Sequence, residues 1–188
     1  MDINYDVIKT YRLSKWRSSN YFNFSYEISK AKNLESNTDK LIVSWNAYMD
    51  MIDGICDNID TVIIRQGYKN DCRIFGVVRG GLPIMTHISN KLKMSYGIID
   101  YQTRDGNSVK PKILTGDFKE EMVILVDDII DTGRTINTIL SMDEMKNKQI
   151  FVYSLFKYLD VELPRYVYTF SCVHFERGNI WVVFPWEN

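Results

Sequence analysis

The stretch Val123–Thr135, VILVDDIIDTGRT, constrains this chain more than any other. Four apolar residues run into two adjacent acids, Asp127 and Asp128. A third acid, Asp131, opens a small polar turn, Thr132-Gly133-Arg134-Thr135. The apolar run, Met122–Val126, reads as a strand buried on both faces, the habit of central parallel strands. The turn leads from that strand towards a helix. Its backbone N–H groups, the helix start and the hydroxyls of Thr132 and Thr135 suit an anion. Asp127 and Asp128 cannot serve the same anion. They suit a metal or a group that donates hydrogen bonds, and the vicinal diol of a sugar is such a group. Phosphate on one side and a diol on the other describe a ribose phosphate.

The flanking sequence alternates strand and helix signals. Ser44 can cap a helix with Trp45, Tyr48, Met49, Ile52, Ile55 and Cys56 on its apolar face. RIFGVV (73–78) reads as a buried strand ending at Arg79-Gly80-Gly81, and Pro83 then sits in the first turn of a helix, where its missing N–H costs nothing. MSYGIIDY, IFVYSLF and RYVYTFSCV read as further strands, and residues 102–121 as a polar loop with Gly106, Pro111 and Gly116. The expected fold class is α/β, a central, mainly parallel sheet with flanking helices. In such sheets ligands bind beyond the carboxyl ends of the strands. Three unusual loops share that edge: VRGGLP, DDIIDTGRT, and the Lys157-Tyr158 pair.

An apolar strand ending in acids also occurs in P-loop nucleotide hydrolases, where it binds magnesium. Those need a G-x-x-x-x-G-K-[ST] loop, and GVVRGGLP has the wrong spacing. A net charge of −1 over 188 residues supplies no global field for nucleic acid or a membrane. No apolar run approaches the roughly 20 residues that span a bilayer, and the start, MDINYDVIKTYR, lacks the apolar stretch of a signal peptide. Cys56, Cys72 and Cys172 lie far apart, and His87 and His174 form no cluster with them, so neither structural zinc nor a disulfide framework is expected. Cytoplasmic localisation fits best. Residues 1–40 mix aromatics with Ser, Asn and basic residues. They read as an N-terminal extension that packs by Tyr11, Trp16, Tyr21, Phe22, Phe24 and Tyr26, ending in a turn-like LESNTDK.

VILVDDIIDTGRT closely resembles the 5-phosphoribosyl-1-pyrophosphate (PRPP) signature of type I phosphoribosyltransferases. Further segments are similar to the bacterial xanthine-guanine members: LIVSWNAYMD to their opening strand and helix, GVVRGGLP to their pyrophosphate loop, FVYSLFKY to the strand carrying a purine-contacting lysine, and IWVVFPWE to the C-terminal hood. The resemblance covers about residues 41–187, which divides the chain into the extension, 1–40, and a phosphoribosyltransferase domain, 41–188, with the hood near 174–188.

The resemblance implies a purine salvage enzyme that moves the 5-phosphoribosyl group of PRPP to a 6-oxopurine (guanine, xanthine or hypoxanthine) and releases pyrophosphate. It implies that Asp127 and Asp128 hold the ribose hydroxyls, and through them or water a Mg²⁺ ion. Asp131 is the implied proton acceptor at purine N7. Thr132, Gly133, Arg134 and Thr135 bind the 5-phosphate, and Arg79 and Gly80 contact pyrophosphate in a loop with a cis Val78–Arg79 peptide. Lys157 donates to the 6-oxo group, Trp181 stacks on the base and the Val182 backbone meets its 2-substituent. Tyr101 opens a lid in which Arg104, Lys110 and Lys112 are candidates by charge. The partners implied are PRPP, a purine base and further copies of the chain, as a dimer or tetramer. Two departures stand out. Asp100 takes the place of the serine in the family's Ser-Tyr pair before the lid, putting an acid near pyrophosphate, and Val78 replaces a hydroxyl residue before Arg79. Two alternatives remain open: a PRPP- or nucleotide-sensing regulatory protein of the same fold, and a transferase for another base.

Overall fold

The computed structural model describes residues 28–32, 39–101, 103–104, 107–108, 110–178 and 180–187. In chain order the strands and helices are β1 (Ile28–Lys32), β2 (Asp39–Val43), α1 (Trp45–Ile59), β3 (Cys72–Val78), α2 (Gly81–Leu92), β4 (Tyr96–Asp100), β5 (Thr103–Arg104), β6 (Asn107–Ser108), β7 (Lys112–Thr115), β8 (Met122–Ile130), α3 (Arg134–Leu140), β9 (Gln149–Tyr158), β10 (Tyr168–Phe175) and β11 (Ile180–Val183). They divide between two compact units. One runs through Met51 and takes in Glu176–Asn188; the other is Ile52–Phe175.

The larger unit is built on a six-stranded sheet in the order β10-β9-β8-β3-β4-β7. All neighbours are parallel except β7, which runs antiparallel to β4. The expected α/β class and mainly parallel sheet are therefore present. Apolar residues reach both faces of the central strands because helices cover both. On one face Ile136 and Ile139 of α3 join Phe75, Leu125 and Val152 in a continuous core. On the other, α2 lies close enough to β3 that a Cβ on Gly76 would come within 3.0 Å of Met85 Cβ and the Gly81 carbonyl oxygen. The end of α1 is tied to the sheet through Asn58, whose Oδ1 accepts from the hydroxyls of Tyr153 (3.0 Å) and Tyr168 (3.1 Å).

Several expected bounds move. β8 does not end at Val126. Its ladder with β3 stops at the Gly76–Val126 pair, but β9 keeps pairing with it through Asp127, Ile129 and Ile130. The acids thus lie inside a strand that has lost its neighbour on one edge. The stretch read as a polar loop contributes β7, an edge strand whose side chains are mostly exposed, which explains why no apolar pattern marks it. β10 starts three residues later than RYVYTFSCV suggests, because Val167 N–H closes a turn on the Pro164 carbonyl. Ser44 does cap α1, accepting from Ala47 N–H at 3.1 Å. Trp45 and Met49, placed on its apolar face, are exposed, while the unanticipated Met51 is fully buried.

The smaller unit contains a three-stranded sheet in the order β1-β2-β11, with β1 antiparallel and β11 parallel to β2. Segments from both ends of the chain meet there. Inside this unit the Trp186 ring stacks on Phe184, 4.9 Å between centroids, and meets Tyr48 edge-on. The aromatics expected to pack the extension, Tyr11 to Tyr26, lie outside the described residues. A chain begun at Asp39 loses β1 and leaves β2 with an open edge. Such a protein should melt at lower temperature or self-associate, because unpaired edges template pairing. Unchanged melting and unchanged light scattering would contradict this role for β1.

Candidate functional site

The strand order places a topological switch at the centre of the sheet. From β3 the chain proceeds outward to β4, and from β8 it proceeds the other way to β9. Open α/β sheets bind ligands outside the carboxyl ends of their strands at such a point. The two loops flanking it carry many of the residues singled out from the sequence.

The first is the turn from β8 into α3. Asp127, Ile129, Ile130, Asp131, Thr132, Gly133, Arg134, Thr135 and Ile136 line one cavity of about 290 Å³. Gly133 has φ +71°, a left-handed conformation that side chains rarely adopt, and Val161 and Leu163 crowd the space a Cβ would take. Its carbonyl accepts the first helical bond, from Asn137 N–H at 2.9 Å, and Thr132 Oγ1 accepts from Arg134 N–H at 3.3 Å. At seven residues α3 is a short helix. An anion bound here would rest on the loop's own N–H groups and hydroxyls more than on a helix terminus. Asp131, Thr132 and Arg134 are exposed at the mouth.

The acids behind this loop are held by the backbone. Asp127 Oδ1 accepts from Asp128 N–H at 3.1 Å, and Asp128 Oδ1 from Ile129 N–H at 2.7 Å. Burial raises the pKa of Asp127 well above the usual carboxylate value, and the neighbouring Asp128 charge raises it further. Hydroxyl donors or a cation beside the pair would relieve that penalty. Among the described residues no three His, Cys, Asp or Glu side chains gather into a metal cage. The oxygen donors of Asp127 and Asp128 do fit a Mg²⁺ ion, which is typically held by one or two carboxylates together with substrate oxygens and water.

The second loop follows β3. The Val78–Arg79 peptide is cis, as the resemblance implies. Arg79 is exposed, and Gly80 lies so close to Asp128 that a Cβ there would fall on its carboxyl group. The structure thus brings the expected pyrophosphate loop against one of the expected ribose acids. Gly81 is packed as closely on the Val126 carbonyl.

Lys157 lies near the end of β9, in register with Ile130 just before the Asp131 turn. It is part-buried, and its Nζ donates to the Tyr158 carbonyl at 3.4 Å. His174 on β10 is its register partner, a neighbour to which the sequence alone assigns no role. Burial lowers the His174 pKa, and the Lys157 charge lowers it further. Only pairing across strands 17 residues apart reveals this proximity. Tyr101, expected at the start of a lid, is 4% exposed, with its hydroxyl 3.2 Å from Thr138 Oγ1 on α3. Lys110 and Lys112 are exposed, and the side chain of Arg104 falls outside the described residues. Trp181 and Val182 lie on β11 in the smaller unit. Trp181 is 62% exposed, an accessible aromatic surface, and Val182 is buried.

The sequence model of the phosphoribosyl transferase domain matches residues 44–187. The chain belongs to the phosphoribosyltransferase family, and it is a phosphoribosyltransferase. Solved structures with the same fold include a purine phosphoribosyltransferase from Pyrococcus horikoshii, 27% identical, covering 79% of this chain and 94% of that one with a TM-score of 0.59. A xanthine-guanine-hypoxanthine phosphoribosyltransferase from Helicobacter pylori is 16% identical, with 79% and 93% covered and a TM-score of 0.58. A hypothetical protein from Neisseria gonorrhoeae with bound ppGpp is 17% identical, with 79% and 89% covered and a TM-score of 0.58. Among the described residues no helix is long and apolar enough to cross a membrane.

Proposed function

We propose that the chain transfers the 5-phosphoribosyl group of PRPP to a 6-oxopurine. The observation that carries this reading is the single edge that holds the Asp127–Thr135 cavity, the Arg79-Gly80 loop and Lys157. Thr132–Thr135 bind the 5-phosphate through backbone N–H groups and hydroxyls. Asp127 and Asp128 accept hydrogen bonds from the ribose hydroxyls, and Arg79 and Gly80 meet the pyrophosphate. Asp127 and Asp128, through the ribose hydroxyls or water, would hold a Mg²⁺ ion, which would supply charge neutralisation for the leaving group. The bond from ribose C1 to pyrophosphate breaks, its electron pair leaving with pyrophosphate, as a purine nitrogen bonds to C1. Asp131 takes the proton that the purine loses.

Lys157 sets the base class. An ammonium group has donors only, so it suits a 6-oxo oxygen and repels the amino group of adenine. Trp181 offers a stacking face, a contact worth roughly 1–3 kcal/mol. The purine phosphoribosyltransferase from Pyrococcus horikoshii supports a purine acceptor. The three free cysteines suit a reducing compartment, and we place the enzyme in the cytoplasm.

The test is incubation with PRPP, Mg²⁺ and each of guanine, xanthine, hypoxanthine, adenine and uracil, with nucleotide as the readout. Turnover of 6-oxopurines is expected. Preferential turnover of adenine or uracil would overturn the base assignment. Tight PRPP binding with no turnover of any base would make the protein a sensor.

A further inference from the structure

Asp100 ends β4 beside the pyrophosphate loop, and the functional reading so far gives it no task. It pairs in register with Val78 on one side and with Lys112 on the other. Its Oδ1 is enclosed and accepts no hydrogen bond among the described residues, while the residue as a whole is only part-buried. A buried acceptor without a donor is costly, and such groups call for a reason in the working state. The ladder between β3 and β8 stops at Gly76–Val126, two residues short of Val78 and Asp128. Register puts Val78 and Asp100 side by side on adjacent strands, directly before Arg79. Arg79 and Gly80 leave the sheet there, and Gly80 packs on the Asp128 carboxyl. Two acids thus flank the loop that meets pyrophosphate.

A carboxylate beside a polyanion repels it unless a cation lies between them. We infer that Asp100 is an additional oxygen donor, direct or through water, to the divalent cation that accompanies pyrophosphate. This inference rests on the phosphoribosyl-transfer reading. It makes the acid that departs from the family's Ser-Tyr pair a chain-specific positioning residue for the metal–pyrophosphate group.

Calorimetric titration with inorganic pyrophosphate, with Mg²⁺ and with chelator, tests it on the full chain. Asp100→Asn should bind magnesium pyrophosphate about tenfold more weakly, the scale at which outer-shell metal partners act. It should bind metal-free pyrophosphate as tightly as the parent or more tightly, because an acid beside an anion has been removed. Thermal melting should show no loss, since the enclosed acceptor makes no hydrogen bond that the unliganded fold would lose. If the Asn variant does not fold, Asp100→Ser, the smaller family-like residue, is measured in the same way. An equal loss with and without metal, or no loss in either condition, overturns the inference while leaving the transfer reading intact. A parent that binds pyrophosphate in neither condition overturns the transfer reading, and the inference with it.

Discussion

Asp131→Asn is expected to lower turnover by about 10²–10⁴, the usual cost of losing a general base, while PRPP affinity changes only a few-fold. The substitution keeps shape and removes the proton acceptor. Asp131 is exposed at the mouth of the cavity, and the groups expected to hold phosphate are the following Thr132–Thr135. Purine N7 becomes more acidic only as the glycosidic bond forms, so in the proposed role this carboxylate acts in the transition state. Asp128→Asn should behave differently. Ribose hydroxyls are present in ground and transition state alike, so losing their partner weakens binding first. The amide oxygen of Asn can still accept the Ile129 N–H that Asp128 Oδ1 accepts at 2.7 Å, so the strand should keep its course. Calorimetry with PRPP beside turnover separates the two. If Asp131→Asn turns over purine like the parent, the acid–base role is wrong.

The turn from β8 into α3 was legible because its parts are consecutive. Val123–Thr135 places an apolar strand, acids, a left-handed glycine and hydroxyls in one run, and each is there for a local reason. What depends on partners distant in sequence was not legible. Nothing in MVILVDDII says where β8 ends; β9 decides that by pairing on to Ile130. The β1-β2-β11 sheet joins residues 28–32 and 39–43 to 180–183, and its parallel pair has no local signature. His174 reads as an isolated histidine until β10 lies beside β9. Asp100 could be flagged as unusual from the resemblance, but its enclosed oxygen is a property of the packed state. Trp45 and Met49 fit a helical period, yet periodicity alone does not say how deep a position is buried.

The pair Gly80-Gly81 shows how two adjacent glycines can serve different ends, and substituting each should separate them. Gly81→Ala sets a methyl against the Val126 carbonyl oxygen, a backbone atom of the central strand that no rotamer can move. Gly81 is also the first residue of α2, so relief requires shifting the helix off the sheet, where Met85 already touches the Gly76 position. The expected cost is about 3 kcal/mol, the upper end of overpacking. For a chain of this size that corresponds to a melting temperature lower by roughly 6–12 °C. Gly80→Ala sets its methyl against the Asp128 carboxyl, a side chain that can turn away at the expense of its bond to Ile129 N–H. Melting should change little, whereas PRPP affinity should fall about tenfold or more, since 1.4 kcal/mol, within the range of one charge-assisted hydrogen bond, is a factor of ten. Thermal melting and PRPP calorimetry on both variants give the answer. Equal melting losses, or a Gly81→Ala protein as stable as the parent, would mean that α2 does not sit against β3 and β8 as closely as described, and the contact between the pyrophosphate loop and Asp128 would lose its support.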